Sequence, residues 1–227
     1  MSRRDDLPVL VAGYLERALP GGPGPVAQVR VGQLGEMWQK PGGRALRFEA
    51  TETFLTDRVA FGWEARFPIL GPLSLRVQDA FKNGQGGLEA RLLGVPVMRE
   101  RGPETDEGEA MRYLAEIPWV PHAIAMNDDL EWTEVDASTV EVATGVGEKR
   151  VAVRLLFDGQ GDVVGAFAEH RWRREGKALV ARPWRGVFSD YRVIGTVRLP
   201  ARGEVAWELP EGPFTYWRGE IVSVEIG

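Results

Sequence analysis

Residues 59–67 read VAFGWEARF, and apolar side chains alternate there with small or charged ones. The apolar positions are Val59, Phe61, Trp63, Ala65 and Phe67. Because successive side chains of a β-strand point to opposite faces, this period of two predicts a strand with one buried face. Runs of the same kind recur on both sides of it, broken by Gly, Pro and Asp, and they predict about a dozen strands in an antiparallel sheet.

Two helical segments accompany the strands, one before the first strand and one that interrupts the sheet. The first has apolar side chains on one helical face and Asp6 at its start as the predicted cap. The second has acidic residues in its first turn and ends near Pro118. The predicted segments are a helix at 6–18, a strand block at 26–98, a helical insertion at 103–126 and a strand block at 130–226.

These elements predict a mainly β fold in a single domain covering residues 1–227. A long curved meander of strands forms an antiparallel β half-barrel. The N-terminal helix and the central helical insertion then cover its concave face, because an apolar sheet face must be buried against another element.

The composition excludes several classes of function. The 227 residues include no Cys, which excludes disulfide scaffolds, thiolate metal sites and cysteine nucleophiles. The net charge of −5 gives no general attraction for nucleic acid. No segment approaches the length of a membrane span, and acidic residues follow the basic N-terminus too closely for a signal peptide, so we expect a cytoplasmic protein. We also expect neither a cofactor nor a metal ion.

Three stretches together resemble a bacterial domain family of unknown function. They are GEMWQKPGGRALRF (35–48), YLAEIPWVPHAI (113–124) and the C-terminal segment from PWRGVFSDYRVIG to TYWRGEI (183–221). The hairpin in the last stretch is similar to the closing strands of Lol-type lipoprotein carriers. That resemblance implies an antiparallel β half-barrel around an apolar cavity plugged by helices, and it implies no catalytic residues.

Two acidic residues fall on the apolar face of the first strand block. Counting across the two expected hairpins sets Glu52 opposite Phe61, and Phe61 opposite Asp79. Both carboxyl groups therefore belong to one row of an apolar wall. They either lie at the rim of the sheet, pair with a basic residue from a helix, or perform acid/base chemistry, since burial raises the pKa of a carboxyl group.

The second strand block offers a matching wall of small and aromatic residues. Counting across its hairpins sets Ala166 opposite Val153, and Ala168 opposite Trp184. Small side chains beside Trp184 and Phe188 indicate either a closely packed helix or an open cavity. His170 is predicted to lie in the same face, as a candidate base.

The function we predict from the sequence is binding of a small apolar or lipid-like ligand in the half-barrel. Pro118 and Pro121 bracket Trp119, which is expected to drop into the cavity from a covering segment. The predicted ligand-binding residues are Phe61, Trp63, Trp119, Ala166, Ala168, Trp184 and Phe188.

Two other functions are compatible with the sequence. One is a hydrolase or isomerase that uses Glu52 and Asp79, with Glu116 or His170, although binding is favoured over catalysis. The other is a scaffold whose Trp-rich surface binds protein. The sequence leaves the oligomeric state open.

Overall fold

The computed structural model describes residues 6–71, 73–176 and 178–227. The helices are α1 (Val9–Ala18), α2 (Pro103–Glu116) and α3 (His122–Met126), and a 3-10 turn at Ile117–Trp119 links the last two. The strands are β1 (Gln28–Met37), β2 (Leu46–Leu55), β3 (Phe61–Leu70), β4 (Leu73–Lys82), β5 (Gln85–Leu92), β6 (Val95–Glu100), β7 (Glu131–Asp136), β8 (Thr139–Val146), β9 (Lys149–Phe157), β10 (Val163–Glu175), β11 (Ala178–Ile194), β12 (Val197–Leu209) and β13 (Gly212–Ile226).

All of these strands belong to one antiparallel sheet, which confirms the predicted half-barrel. The order across the sheet is β6-β5-β4-β3-β2-β1-β13-β12-β11-β10-β9-β8-β7. The first and last strands of the chain therefore pair in the middle, and β6 and β7 form the two edges. The helical insertion at residues 103–126 connects these edges.

The insertion lies across the concave side of the curled sheet. Helix α2 packs on β4 and β5 from one half of the sheet and on β8, β9 and β10 from the other. A single helix can reach both groups only because the sheet curls toward itself. None of the described helices combines the length and apolar character that a membrane crossing requires.

The alternation in β3 buries the predicted face. Phe61, Trp63, Ala65 and Phe67 are buried, whereas Glu64 and Arg66 are exposed on the other face. Burial of such side chains contributes roughly 1.5–3 kcal/mol for each large apolar group.

The N-terminal helix begins later than predicted. Helix α1 starts at Val9, and no side chain caps it, so the predicted cap by Asp6 is wrong. Pro8 occupies the N-cap position with an extended backbone, at φ −51° and ψ 143°. A proline also disfavours helical geometry in the residue before it, so the helix cannot reach back to Asp6. Val11, Tyr14, Leu15 and Ala18 are its buried residues.

The predicted position of His170 on the inward face is also wrong, because a β-bulge interrupts β10. Ala168 pairs with Trp184 as predicted, but the next pair is Arg171 with Arg182. The two residues between them have no cross-strand partner in the ladder, so the alternation shifts by one position. As a result His170 is exposed and Arg171 is buried.

The hairpin before this strand has a different register from the predicted one. Ala166 pairs with Leu155 rather than Val153: the Val163–Phe157 pair already differs from the predicted register by one residue, and the irregularity between Val163 and Gly165 adds another. The difference is two residues, and a shift of two leaves every side chain on its predicted face. Ala166 is buried as expected.

Candidate functional site

Glu52, Trp63 and Asp79 form one row across β2, β3 and β4. Glu52 pairs with Trp63, and Trp63 pairs with Asp79. The predicted residue between the two acids was Phe61, which pairs with Phe54 and Phe81 instead. Each hairpin differs from its predicted register by two residues, so both acids remain on the concave face and in one row. Glu52 is fully buried, and Asp79 is 6% exposed.

Arg112 of α2 joins these two acids. Its Nη2 lies 2.8 Å from Glu52 Oε1, and its Nη1 lies 2.7 Å from Asp79 Oδ2. Its Nε lies 3.0 Å from Oε1 of Glu116, one helical turn further along α2. The guanidinium therefore binds three carboxyl groups on three elements, and it fixes α2 to β2 and β4. The sequence alternative in which the acids pair with a basic residue from a helix is the arrangement in the structure.

Three neighbouring side chains hold the arginine and Glu52 in place. Gln33 Nε2 donates to Glu52 Oε2 at 2.8 Å, and Trp63 Nε1 donates to Gln33 Oε1 at 2.8 Å. The Arg112 guanidinium carbon lies 4.9 Å from the centre of the Phe61 ring and 5.2 Å from that of Trp63. These cation–π contacts place the charge against the aromatic wall that was predicted to bind ligand.

Burial raises the pKa of several carboxyl groups in this cluster. It raises the pKa of Glu109 to about 8, and the neighbouring Asp79 charge is the next cause. Burial also raises the pKa of Glu52 and of Glu116, which both contact the Arg112 guanidinium. A raised pKa favours the protonated form of a carboxyl group, and the titrations of Glu52 and Glu116 are linked because both contact the Arg112 guanidinium.

Six charged side chains interact in one buried cluster between α2 and the sheet. The groups that interact are the carboxyl groups of Glu52, Asp79, Glu109 and Glu116 and the guanidinium groups of Arg112 and Arg171. We name this set of six residues the latch, because it joins α2 to the sheet.

Trp119 lies at the centre of the concave face, as predicted. It is 2% exposed, and its Nε1 donates to the Pro200 carbonyl oxygen at 2.9 Å. Its ring contacts Phe188 edge-on at 5.6 Å and Trp217 at 5.9 Å between ring centres. A Cβ atom at Gly203 would lie 2.9 Å from Cζ2 of the indole, so the small residue beneath Trp119 allows close packing of the insertion.

Arg171 holds α2 against the second strand block. Its Nη2 donates to the Gly108 carbonyl oxygen of α2 at 3.1 Å, and its guanidinium carbon lies 4.9 Å from the Trp184 ring centre. Trp184 Nε1 donates to the hydroxyl oxygen of Tyr216 at 3.0 Å. Two arginines therefore fix the insertion to the sheet. Arg112 of α2 binds acids of the first half of the sheet, and Arg171 of the second half binds α2.

The predicted ligand-binding residues all lie beneath the helices or in the insertion, and all are buried: Phe61, Trp63, Trp119, Ala166, Ala168, Trp184 and Phe188. Their role in binding stays a prediction. Of the predicted catalytic residues, Glu52, Asp79 and Glu116 meet in the latch, whereas His170 is exposed on another strand. Within the described parts of the chain, no group of His, Asp and Glu is placed to hold a metal ion.

Sequence reasoning missed Arg112, Glu109, Gln33 and Arg171. A signal for the first was present, since Arg112 is the only Lys or Arg in the insertion, among five acidic residues. Its spacing from Glu109 and Glu116 also places all three on one helical face. Arg171 had no such signal, because its inward position depends on the bulge.

Comparison with solved structures finds chains of similar shape. A LolA superfamily protein from Nitrosomonas europaea is 10% identical over 100% of this chain and 94% of that chain, with a TM-score of 0.49. A DUF1329 family protein from Desulfovibrio piger is 11% identical over 96% of this chain and 92% of that chain, also with a TM-score of 0.49.

No curated protein matches the sequence. A family model does match it, over residues 2–219, which is nearly the whole chain. The chain belongs to the family of unknown function DUF6544.

Proposed function

We propose that the protein binds a small apolar or lipid-like molecule on the concave face of the sheet, beneath the helical insertion. The observation that carries this proposal is the position of the insertion: residues 103–126 connect the two sheet edges and cover an aromatic wall. The insertion contributes no strand to the sheet, so it can move away without breaking any strand pairing. Such a segment is suited to act as a cover that admits a ligand.

The wall beneath the cover suits an apolar ligand. Phe61, Trp63, Trp184, Phe188 and Trp217 contribute large ring surfaces to it, and all are buried in the closed state. Aromatic side chains gain the most from contact with apolar molecules, and their indole N–H groups orient polar ends. Trp119 of the cover fills the space that an apolar ligand would take.

The latch supports a cover that opens. Asp79 Oδ1, Glu109 Oε2 and Glu116 Oε2 are buried and accept no hydrogen bond from an N–H group of the described residues, and His122 Nδ1 is also buried without a partner there. Burial of incompletely bonded polar groups costs free energy, and hydration recovers it. Movement of α2 away from the sheet exposes these atoms to water, which lowers the free energy of opening.

Acid/base chemistry at Glu52 and Asp79 is a second candidate, favoured by the raised pKa values of Glu52 and Glu109. Against it, Arg112 binds an oxygen of each acid, and Gln33 binds the other oxygen of Glu52. The amide variants Glu52→Gln and Asp79→Asn separate the two candidates, because a latch residue is not needed for contact with an apolar ligand. If the site only binds ligand, both variants should bind it as the wild type does. If the acids catalyse a reaction, both variants should still bind the ligand but should no longer convert it.

The experiment starts with the protein purified without detergent. Extraction with organic solvent followed by mass spectrometry tests for a bound lipid, and the delipidated protein is then titrated with a fatty acid while tryptophan emission is recorded. We expect an extracted apolar molecule and a saturable change in emission. The change should be lost in Trp119→Phe and kept in Trp38→Phe, because Trp38 packs against Arg218, away from Trp119. Absence of both extracted lipid and saturable binding would overturn the proposal.

A further inference from the structure

Two hairpins end side by side at one end of the sheet, and their tips expose aliphatic side chains. Leu75 of β4 pairs with Leu92 of β5, so the β3–β4 turn lies next to the β5–β6 turn. Leu70 is 80% exposed, and Leu93 is 79% exposed. The exposed large aliphatic residues of these tips are Ile69, Leu70, Leu93, Val95, Val97 and Met98. Soluble proteins rarely group so many such side chains outside a binding surface.

The sequence of both tips has the same charge pattern. Residues 67–75 read FPILGPLSL and residues 92–98 read LLGVPVM, with no charged residue in either stretch. The residues that flank the two stretches are Arg66, Arg76, Arg91 and Arg99. We name residues 66–76 and 91–99 the arginine-flanked tips.

Three of these arginines stand in one row. Arg66 pairs with Arg76, and Arg76 pairs with Arg91, on adjacent strands. Like charges directly opposite each other destabilise a sheet. Arg91 and Arg99 share Glu89, whereas no ion pair among the described residues involves Arg66 or Arg76. Glu49 pairs with Arg66 at one end of the row, so Arg76, which lies between two arginines, is the position at which a negatively charged surface would relieve the most repulsion.

The turn at Leu93 departs from local preference as well. Leu93 has φ 51° and the following Gly94 has φ 80°, which is the geometry of a two-residue hairpin turn that favours Asn-Gly. At the other end of β5 the same geometry is formed by Asn83 and Gly84, at φ 53° and 77°. Leu93 therefore has a left-handed backbone conformation that leucine disfavours, and its apolar side chain is also exposed to solvent. A residue that fits neither the backbone nor the solvent points to a role in binding.

We propose that the arginine-flanked tips dock on the surface of a lipid bilayer. The aliphatic side chains enter the boundary between headgroups and acyl chains, and the arginines contact lipid phosphates. Along the strands, Arg91 lies roughly 7 Å and Arg66 roughly 13 Å from the tips. Interfacial segments enter a bilayer by about 5–10 Å, so the arginine row lies near the phosphate level.

The composition of the tips favours a bilayer over a protein partner. Binding sites for proteins rely on exposed Trp, Tyr and Arg at their centre, whereas Leu and Val are under-represented there. The only aromatic residue of the two uncharged stretches is Phe67, which is buried. This inference concerns the end of the sheet that the β3–β4 and β5–β6 turns form, and it does not depend on a ligand beneath the insertion.

The test is co-sedimentation with vesicles of phosphatidylcholine mixed with phosphatidylglycerol, and with vesicles of phosphatidylcholine alone. We expect binding to both, tighter to the anionic vesicles and weaker at high salt. Leu93→Asn should lower the partition coefficient by about tenfold, because burial of one leucine contributes about that factor or more. This variant creates the Asn-Gly turn found at residues 83–84, so it is expected to fold at least as well as the wild type.

Val193→Asn is the matched control. Val193 is 65% exposed and lies in β11 near its turn with β12, at the opposite end of the sheet, so its replacement should leave vesicle binding unchanged. Leu70→Ser is a second variant that should weaken binding without a change in turn type. The proposal would be overturned if the wild type sedimented with neither vesicle. It would also be overturned if Leu93→Asn and Leu70→Ser both bound vesicles as tightly as the wild type. Self-association that Leu93→Asn abolishes, without vesicle binding, would overturn it too and assign the tips to contact between copies of this chain.

Discussion

Arg112 Nη2 lies 2.8 Å from Glu52 Oε1, and this contact joins α2 to β2 across a separation of 60 residues. Through the same guanidinium, α2 is also joined to Asp79 of β4. The latch therefore connects the cover to the wall through buried charges. Such contacts make the cover sensitive to substitution and to pH.

Replacement of Arg112 by Met should lower the free energy of unfolding by about 3–5 kcal/mol, because it leaves buried carboxyl groups without their cation. Urea denaturation measures this loss. The matched control is Arg30→Met, since Arg30 and Glu225 form an exposed pair at 4.0 Å. That change should stay within about 0.5 kcal/mol. Equal effects of the two substitutions would show that the latch does not stabilise the fold.

Stability should fall as pH rises from about 4.5 to about 8. Burial raises the pKa of Glu109 from an ordinary 4.5 to about 8, so the folded state favours its protonated form. The contribution of Glu109 to the free energy of unfolding is complete below pH 4.5 and is lost as pH rises through about 8. The loss amounts to a few kcal/mol at most. The charged groups that face Glu109 are Asp79, Arg112 and Arg171.

Urea denaturation of wild type and Glu109→Gln at a series of pH values tests this dependence. The amide cannot lose a proton, so the variant should show a flatter profile between pH 4.5 and 8. Exposed Glu134→Gln should keep the wild-type profile. A variant profile as steep as that of the wild type would exclude Glu109 as the titrating group.

Gly203→Ala should destabilise the protein by about 1–3 kcal/mol, because the added methyl group overlaps the Trp119 ring at 2.9 Å from Cζ2. The matched control is Gly145→Ala in β8, where a Cβ atom meets nothing within 4 Å. Thermal unfolding measures both variants. The packing of Trp119 against β12 would be contradicted if the two substitutions had the same effect.

The sequence predicted correctly the face of the sheet on which Glu52 and Asp79 lie, but it did not predict their cross-strand partner. The loop between β2 and β3 lies one residue further along the chain than the predicted one, since the Leu55 N–H donates to the Ala60 carbonyl oxygen and the Thr56 hydroxyl group donates to the Val26 carbonyl oxygen. Such tertiary contacts shift the register, and the alternation cannot report them. A shift of two residues still keeps the face, so Glu52 and Asp79 were assigned correctly to the concave side.

The partners of these acids could not be predicted from local patterns. Arg112 meets Asp79 because the insertion crosses the sheet from one edge to the other, which depends on the strand order. His170 shows the converse case, because one bulge in β10 reverses the face of each residue that follows. Alternation predicts a face only up to the next irregularity in the ladder.

Hydrogen exchange of the delipidated protein, followed by mass spectrometry with and without a saturating fatty acid, tests the central claim most directly. Binding beneath the cover predicts a change in exchange across residues 103–126 and in the strands that carry Trp63 and Phe188, with the tips around Leu70 and Leu93 unchanged. A fatty acid that binds while exchange in residues 103–126 stays the same would contradict the proposed site.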